Sequence, residues 1–259
     1  MPASDLSLLI EAAEEAGRIA TRYIGTPMEA RDKPDGAGPV TEADLAVDAA
    51  LAQILRAARP DYGWLSEETE DSADRLKAER VFIVDPIDGT RAFIDGDDIW
   101  AHSLAVAERG VITAAAIYLP MCDKFYTAAA GQGAALNGVP IRVTDRADLD
   151  GASLLASRPA LAPELWRAGH APQVTRAFRP SLAYRLSLVA EGRYDAMLTL
   201  RASWEWDIAA GDLILREAGA VTSTRRAAPL VFNNPDPRLD GVIAANPGLH
   251  SALHAALAD

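Results

Sequence analysis

Val81-Phe82-Ile83-Val84-Asp85-Pro86-Ile87-Asp88-Gly89-Thr90 is the stretch on which the fold turns. Four apolar residues, three of them β-branched, predict a buried strand, and Pro86 and Gly89 predict its end, so two carboxylates sit where a strand stops. Pro86 can aim Asp85, Asp88 and the Ile87 carbonyl into one small volume. Oxygen ligands without histidine or cysteine suit a hard divalent cation, Mg²⁺ before Mn²⁺. Gly89-Thr90 permits a tight turn in which Thr90 caps a following helical turn, leaving backbone N–H groups for a phosphate. A simple β-turn of the Asp-Pro-x-Asp-Gly kind fits the same residues, so the flanking chain has to decide.

Upstream, Gly63-Trp64-Leu65-Ser66-Glu67-Glu68 reads as a short strand running into paired acids, a third arm for one cluster. Val40-Thr41-Glu42-Ala43-Asp44 resembles a capping box opening a helix to Leu55, with Asp44 available as a water-orienting acid and Asp48 on the solvated side. A first amphipathic helix spans Asp5 to about Ile24. Between these helices, Thr26 to Pro39 carries Pro27, Pro34, Gly36 and Gly38 and reads as a mobile loop that could serve as a lid.

Downstream, the acids at 95, 97 and 98 lack the spacing of a calcium loop and read as solvated surface. Strands are predicted at 102–107, 111–118, 124–128, 133–136 and 139–143, with Asn137-Gly138 as a hairpin turn, giving an antiparallel meander. The polar stretch from Thr144 marks a boundary, so the expectation is an N-terminal α+β half, 1–147, and a C-terminal α/β half, 148–259. The second half reads as strand 153–157, helix 163–169, helix 181–191, strand 194–199, helix 208–218, strands 221–224 and 241–245 and a final helix from Gly248. Asp207 falls at or near the start of the 208–218 helix, either as an N-cap or as an acid reaching across a cleft, with Trp204 and Trp206 as its packing.

The 259 residues carry 25 Lys plus Arg against 37 Asp plus Glu, a formal charge of −12, which argues against nucleic acid or an anionic membrane as partner. Cys122 is the only cysteine, no apolar run reaches the length of a membrane span, and the first residues lack a basic segment followed by an apolar core. A soluble cytoplasmic protein is expected.

Spacing also excludes several phosphatase chemistries. An aspartyl-phosphate nucleophile wants Asp-x-Asp-x-Thr, and Asp85 and Asp88 are one residue further apart. A cysteine phosphatase wants an Arg six residues after its Cys, and residue 128 is Ala. No Gly-x-Ser-x-Gly elbow or Walker loop is present. The four histidines, His102, His170, His250 and His254, are too scattered for a histidine-rich centre. Metal-activated water remains.

Asp85-Pro86-Ile87-Asp88-Gly89-Thr90, Glu67-Glu68, Val40-Thr41-Glu42-Ala43-Asp44 and Trp206-Asp207-Ile208-Ala209-Ala210-Gly211, in this order over about 170 residues, resemble the inositol monophosphatase family of lithium-sensitive, Mg²⁺-dependent phosphatases. The resemblance covers essentially the whole chain. It implies a five-layered α-β-α-β-α sandwich, commonly a homodimer, with the active site between the two halves. It also implies that Glu67, Asp85 and the Ile87 carbonyl hold a first Mg²⁺. Asp85, Asp88 and Asp207 hold a second, and Glu67 with waters a third. Thr90 and Glu67 orient the attacking water, Asp44 completes the water network, and the Gly89 and Thr90 amides bind phosphate.

For the substrate, the sugar-contacting Glu usual in inositol monophosphatases has no counterpart among Met197, Leu198, Thr199 and Leu200. Ser181 to Gly192 followed by Leu198-Thr199-Leu200-Arg201 is more similar to bacterial 3′(2′),5′-bisphosphate nucleotidases, which act on 3′-phosphoadenosine 5′-phosphate. Arg185 and Arg201 then become candidates for a second phosphate. Inositol 1-phosphate is the first alternative and histidinol phosphate, through Arg91-Ala92-Phe93-Ile94, the next. A protein-binding regulator with incidental phosphatase activity is the alternative of another class.

Overall fold

Alternate residues of the strand that carries Asp85 face opposite ways into two different cores, and this alternation builds the molecule in layers. The computed structural model describes residues 4–26, 29–33 and 38–258. In β4 (Arg80–Asp88), Phe82 and Val84 pack with helices α1 (Asp5–Ala20) and α2 (Glu42–Ala58), while Val81 and Ile83 face α4 (Leu182–Ala190) and α5 (Glu205–Glu217). A strand that is apolar on both faces is what a sheet covered on both sides requires.

The first sheet has seven strands in sequence order: β3 (Gly63–Ser66), β4, β5 (Ala101–Glu108), β6 (Val111–Leu119), β7 (Lys124–Ala129), β8 (Ala134–Leu136) and β9 (Val139–Pro140). Only β3 and β4 are parallel, and the rest form the predicted meander, Asn137 taking a left-handed conformation at the last turn. The second sheet runs β11 (Thr175–Ala177), β10 (Ser153–Leu155), β12 (Ala196–Thr199), β16 (Val242–Ala245), β14 (Val221–Ser223). Its strands alternate in the same way: Leu155, Met197 and Ala244 meet α4 and α5, whereas Leu154, Leu198 and Ile243 meet the apolar side of α6 (Pro247–Ala256). The order is therefore α1/α2, sheet, α4/α5, sheet, α6, a five-layered α+β sandwich.

Gly211 marks where α4 and α5 touch: a Cβ built there would lie 2.5 Å from Leu186 Cδ1. Among the described residues no helix is long and apolar enough to cross a membrane.

Several expectations are corrected. β4 does not stop at Pro86; it continues to Asp88 with a register shift between Asp85 and Asp88, and the shift accommodates a residue that has no N–H for the ladder. The stretch 163–169 contains only a 3₁₀ turn, Pro163–Leu165, since Trp166 instead bridges to Leu257. The strand predicted over 139–143 keeps two residues, Val139–Pro140, because Pro140 cannot extend a ladder. The 26–39 loop holds a two-stranded ribbon, β1 (Ala30–Asp32) with β2 (Pro39–Thr41). Pro27, Pro34 and Gly36 of that loop, and Met1-Pro2-Ala3, lie outside the described residues. α6 starts at Pro247, capped by Asn246, one residue before the predicted Gly248.

Candidate active site

Three elements deliver acids to one point. The Glu67 N–H donates to the Val84 carbonyl at 3.2 Å, extending the parallel β3–β4 pairing by one residue and setting Glu67 beside Asp85. Asp207, in the first turn of α5, comes from the other half of the chain. Carboxylate oxygens of Glu67, Asp85 and Asp207 lie within 4.8 Å of one another. Two ionised carboxylates at that separation repel by about 3 kcal/mol at an effective dielectric constant of about 20, so three cannot all be charged without a counter-ion. Burial, and then Glu67, Asp88 and Asp207, hold the Asp85 carboxyl well above the usual carboxylate range; burial, Asp88 and Glu67 do the same to Asp207. Asp85 Oδ1 is buried with no hydrogen-bond partner among the described residues. An orphaned oxygen in an all-oxygen, electron-rich cluster fits a hard divalent cation.

Asp88 stands beside this cluster but turns toward α4. Its Oδ2 accepts from Ser181 Oγ and from the Ala183 N–H, both at 2.6 Å, and Ser181 in turn N-caps α4 by accepting from the Tyr184 N–H. Burial raises the Asp88 carboxyl and these donors oppose the rise. A carboxylate at a helix start is favoured by the local backbone charge. Asp88 thus joins the end of β4 to the start of α4.

Asp44 and Thr90 also come together. Asp44 Oδ2 accepts from the Thr41 N–H at 2.8 Å, with Thr41 Oγ1 at 2.5 Å, and Asp44 Oδ1 lies 3.2 Å from Thr90 Oγ1. The Ile87 carbonyl lies 3.1 Å from the same hydroxyl, whose single proton serves one of the two at a time. Gly89, at φ 100°, caps the short helix α3 (Thr90–Ile94); a Cβ there would press on the Ile99 carbonyl at 3.3 Å. Thr90 is therefore not the cap predicted for it, and its hydroxyl is left for Asp44 and Ile87.

Behind the turn, His102 Nδ1 donates to the Pro86 carbonyl at 2.5 Å, and burial pushes the imidazole down to about 4, so it is neutral at pH 7. In front, Lys33 beside the β1–β2 ribbon bonds Glu67 Oε1 at 2.6 Å and Glu68 Oε1 at 2.7 Å. Burial would lower the Lys33 ammonium, but Glu67 and Glu68 raise it above its usual range. Glu68 itself is raised to about 7, mainly by burial.

A model of the inositol monophosphatase family matches residues 2–259. The chain belongs to the inositol monophosphatase family. An inositol-1-monophosphatase of Mesorhizobium japonicum is 33% identical over 260 residues, covering 96% of this chain and 94% of that protein. The Nus factor SuhB of Escherichia coli is 31% identical over 227 residues, covering 84% of each. Among solved structures, the extragenic suppressor protein suhB of Bartonella henselae superposes with a TM-score of 0.81 at 29% identity, covering 98% of both chains. The Thermotoga maritima IMPase superposes with a TM-score of 0.82 at 26% identity, covering 96% of this chain and 95% of that one. Inositol monophosphatase family members are metal-dependent phosphatases, and this chain is one of them.

The structure brings Glu67, Asp85 and Asp207 together with Asp88 beside them, and departs from the sequence expectations at other positions. Asp207 is not an N-cap: α5 begins at Glu205, and Asp207 lies inside its first turn. Asp48 is not solvated; it is buried and accepts from Ser66 Oγ at 2.5 Å and Thr69 Oγ1 at 2.7 Å, bracing the turn that carries Glu67. Arg185 is buried and Arg201 exposed, with the Arg201 charge near enough to bear on Arg185. Lys33 and Ser181 were missed as site residues. Lys33 sits in a Pro- and Gly-rich loop with no periodicity to place it. Ser181 shows in the sequence as a helix start and as the first residue of the nucleotidase-like stretch, and nothing in the chain order says that this helix begins opposite Asp88.

Proposed function

We propose that this phosphatase hydrolyses a small phosphomonoester bearing a second anionic group, with 3′-phosphoadenosine 5′-phosphate as the best fit. The observation that carries the reading is Arg185. The residue as a whole is only 6% exposed, and its guanidinium makes one hydrogen bond among the described residues, from Nε to the Ser181 carbonyl at 3.3 Å. Burial pulls it below the usual guanidinium range while Asp88 and Asp207 oppose, so it lies within electrostatic reach of the acids proposed to hold metal. A buried guanidinium with terminal N–H groups unused is prepared for a bidentate anion. Phe178, 46% exposed, lies over it with the ring centroid 4.9 Å from Cζ and offers a planar face to a nucleobase. Arg201 adds positive charge within electrostatic reach of Arg185. A neutral polyol would leave Arg185 unpaired, and residues 197–200 supply no acid for its hydroxyls.

In this reading Glu67, Asp85, the Ile87 carbonyl, Asp88 and Asp207 hold two or three Mg²⁺ ions. When bound, the ions polarise the phosphate and lower the pKa of the attacking water. The chain's own residues do the rest. Thr90, donating its proton to Asp44, keeps its lone pairs to accept from the attacking water, and Glu67 fixes the other side of that water. The Gly89 and Thr90 amides at the start of α3 meet the phosphate oxygens, and Arg185 with Arg201 holds the second anion so that the ester faces the water in line.

A second reading, inositol 1-phosphate, is favoured by the relative named inositol-1-monophosphatase. The test is Mg²⁺-dependent phosphate release from 3′-phosphoadenosine 5′-phosphate, inositol 1-phosphate and histidinol phosphate, with Asp207→Asn as the silent control. The bisphosphate is expected to be turned over fastest. Faster hydrolysis of inositol 1-phosphate would sink the proposal. A chain without Mg²⁺-dependent turnover of any phosphate ester would instead support a role as a protein-binding regulator.

A further inference from the structure

Two residues before Asp207, Glu205 is fully buried and has no place in the site described above. An isolated buried carboxylate is costly, so its partners show what it is kept for. Its Oε2 accepts from the Asn233 N–H at 2.6 Å, and its Oε1 from the Asn234 N–H at 2.9 Å and Asn234 Nδ2 at 2.7 Å. The Glu205 N–H donates to the Pro237 carbonyl at 2.9 Å, and β13 (Ser203–Trp204) pairs with β15 (Arg238–Leu239) just before it. The start of α5 is thereby sewn to the 233–239 segment on both sides.

That segment is held from the other half of the chain. Arg75 Nη1 donates to Asn233 Oδ1 at 2.7 Å and Nη2 to the Asn234 carbonyl at 2.9 Å, while Nε and Nη2 pair with Asp71 at 2.6 and 2.8 Å. Arg75 is itself almost fully buried, in the 3₁₀ turn Ala73–Lys77 that follows Glu67 in the chain. Asn233 takes φ 61°, a left-handed conformation that asparagine tolerates and that presents its N–H and Oδ1 to Glu205 and Arg75. A closed path results: Glu67, the 68–75 segment, Arg75, Asn233 and Asn234, Glu205, Asp207, and back through the acid cluster to Glu67.

We propose that Glu205, through Asn233, Asn234 and Arg75, is a positioning residue that sets Asp207 at the separation from Glu67 and Asp85 which a metal ion needs. The inference rests on the metal-dependent activity but not on the identity of the substrate. Residues that orient metal ligands without touching the metal typically change affinity about ten- to a hundredfold when altered.

The test is isothermal titration calorimetry of Mg²⁺ binding to the substrate-free full chain, with thermal melting in chelator alongside. Glu205→Gln replaces one acceptor by an amide that faces N–H donors, and is expected to weaken Mg²⁺ about tenfold or more. Asn234→Ala is expected to do the same. Asp212→Asn is the control for plain destabilisation, because Asp212 is an equally buried acid of α5, bonded to Thr222 and Arg216 and away from the cluster. It should lower the melting temperature and leave Mg²⁺ affinity within about twofold. If Glu205→Gln does not fold, Arg75→Lys keeps the charge, loses the fork of contacts, and should still weaken Mg²⁺. Loss of melting temperature in the Glu205, Asn234 or Arg75 variants with Mg²⁺ affinity within about twofold of the parent would overturn the proposal. Substrate is absent throughout, so a wrong substrate assignment cannot produce that result.

Discussion

Lys33 Nζ lies 2.6 Å from Glu67 Oε1 and holds positive charge against the acid cluster from a ribbon that belongs to neither sheet. An ammonium bonded to Glu67 competes for oxygen with any cation there. A hydrogen bond to a charged group is worth about 1.5 kcal/mol net, so Lys33→Met should tighten Mg²⁺ binding roughly tenfold by calorimetry. Weaker Mg²⁺ binding would mean that Lys33 assists the cation and does not oppose it.

Ser181 both caps α4 and donates to Asp88. Ser181→Ala removes a cap worth about 1 kcal/mol and a bond to a buried carboxylate, so urea unfolding should show a loss of about 2 kcal/mol. A loss near a few tenths would mean that Asp88 finds another donor.

Gly211 lies one helical turn beyond Asp207. In an exposed helix, alanine would be about 1 kcal/mol better than glycine. Here the added methyl would stand 2.5 to 2.7 Å from Leu186 side-chain atoms, and overpacking costs about 1–3 kcal/mol. Gly211→Ala should therefore destabilise the protein and, by displacing α5 and with it Asp207, lower kcat at saturating Mg²⁺. Unchanged melting and activity would show that α4 and α5 can separate freely.

His102 links stability to pH. Its folded pKa of about 4 lies below the unfolded value of about 6.5, so between those limits the unfolded chain binds a proton that the folded chain refuses. Stability contributed by the neutral imidazole is complete above about pH 6.5 and is lost progressively down to about pH 4, a total of about 3 kcal/mol. His102→Asn keeps a donor for the Pro86 carbonyl without the titration. The stability difference between parent and variant should therefore shift against the parent by that amount from pH 7 to pH 4, as read by urea unfolding at each pH. A constant difference would contradict it.

How much was legible beforehand follows from the range of each signal. Asp85, Asp88, Glu67 and Asp207 were readable because each is fixed by a local pattern, a strand end or a helix start, and they occur in one order. The meander was readable from period-2 alternation and Asn137-Gly138. Asp48 was misread because its partners, Ser66 and Thr69, come from another strand's exit, and helical periodicity assigns a face without saying what covers it. Glu205 was invisible for the same reason: its partners lie 28 and 29 residues on, and the cation behind them lies in the other half. The Trp206 indole ring stacks on Trp204 at 4.7 Å while its N–H is buried without a partner among the described residues, a feature that no local pattern announces.

The most direct measurement compares kcat/KM for 3′-phosphoadenosine 5′-phosphate and for adenosine 3′-phosphate, in the parent and in Arg185→Met. The two esters present the same scissile phosphate and differ only in the 5′-phosphate assigned to Arg185. A buried bidentate anion contact is worth about 2–3 kcal/mol, so the parent should prefer the bisphosphate by roughly a hundredfold and the variant should lose most of that preference. A parent that treats both esters alike, or a variant that keeps the preference intact, would contradict the account.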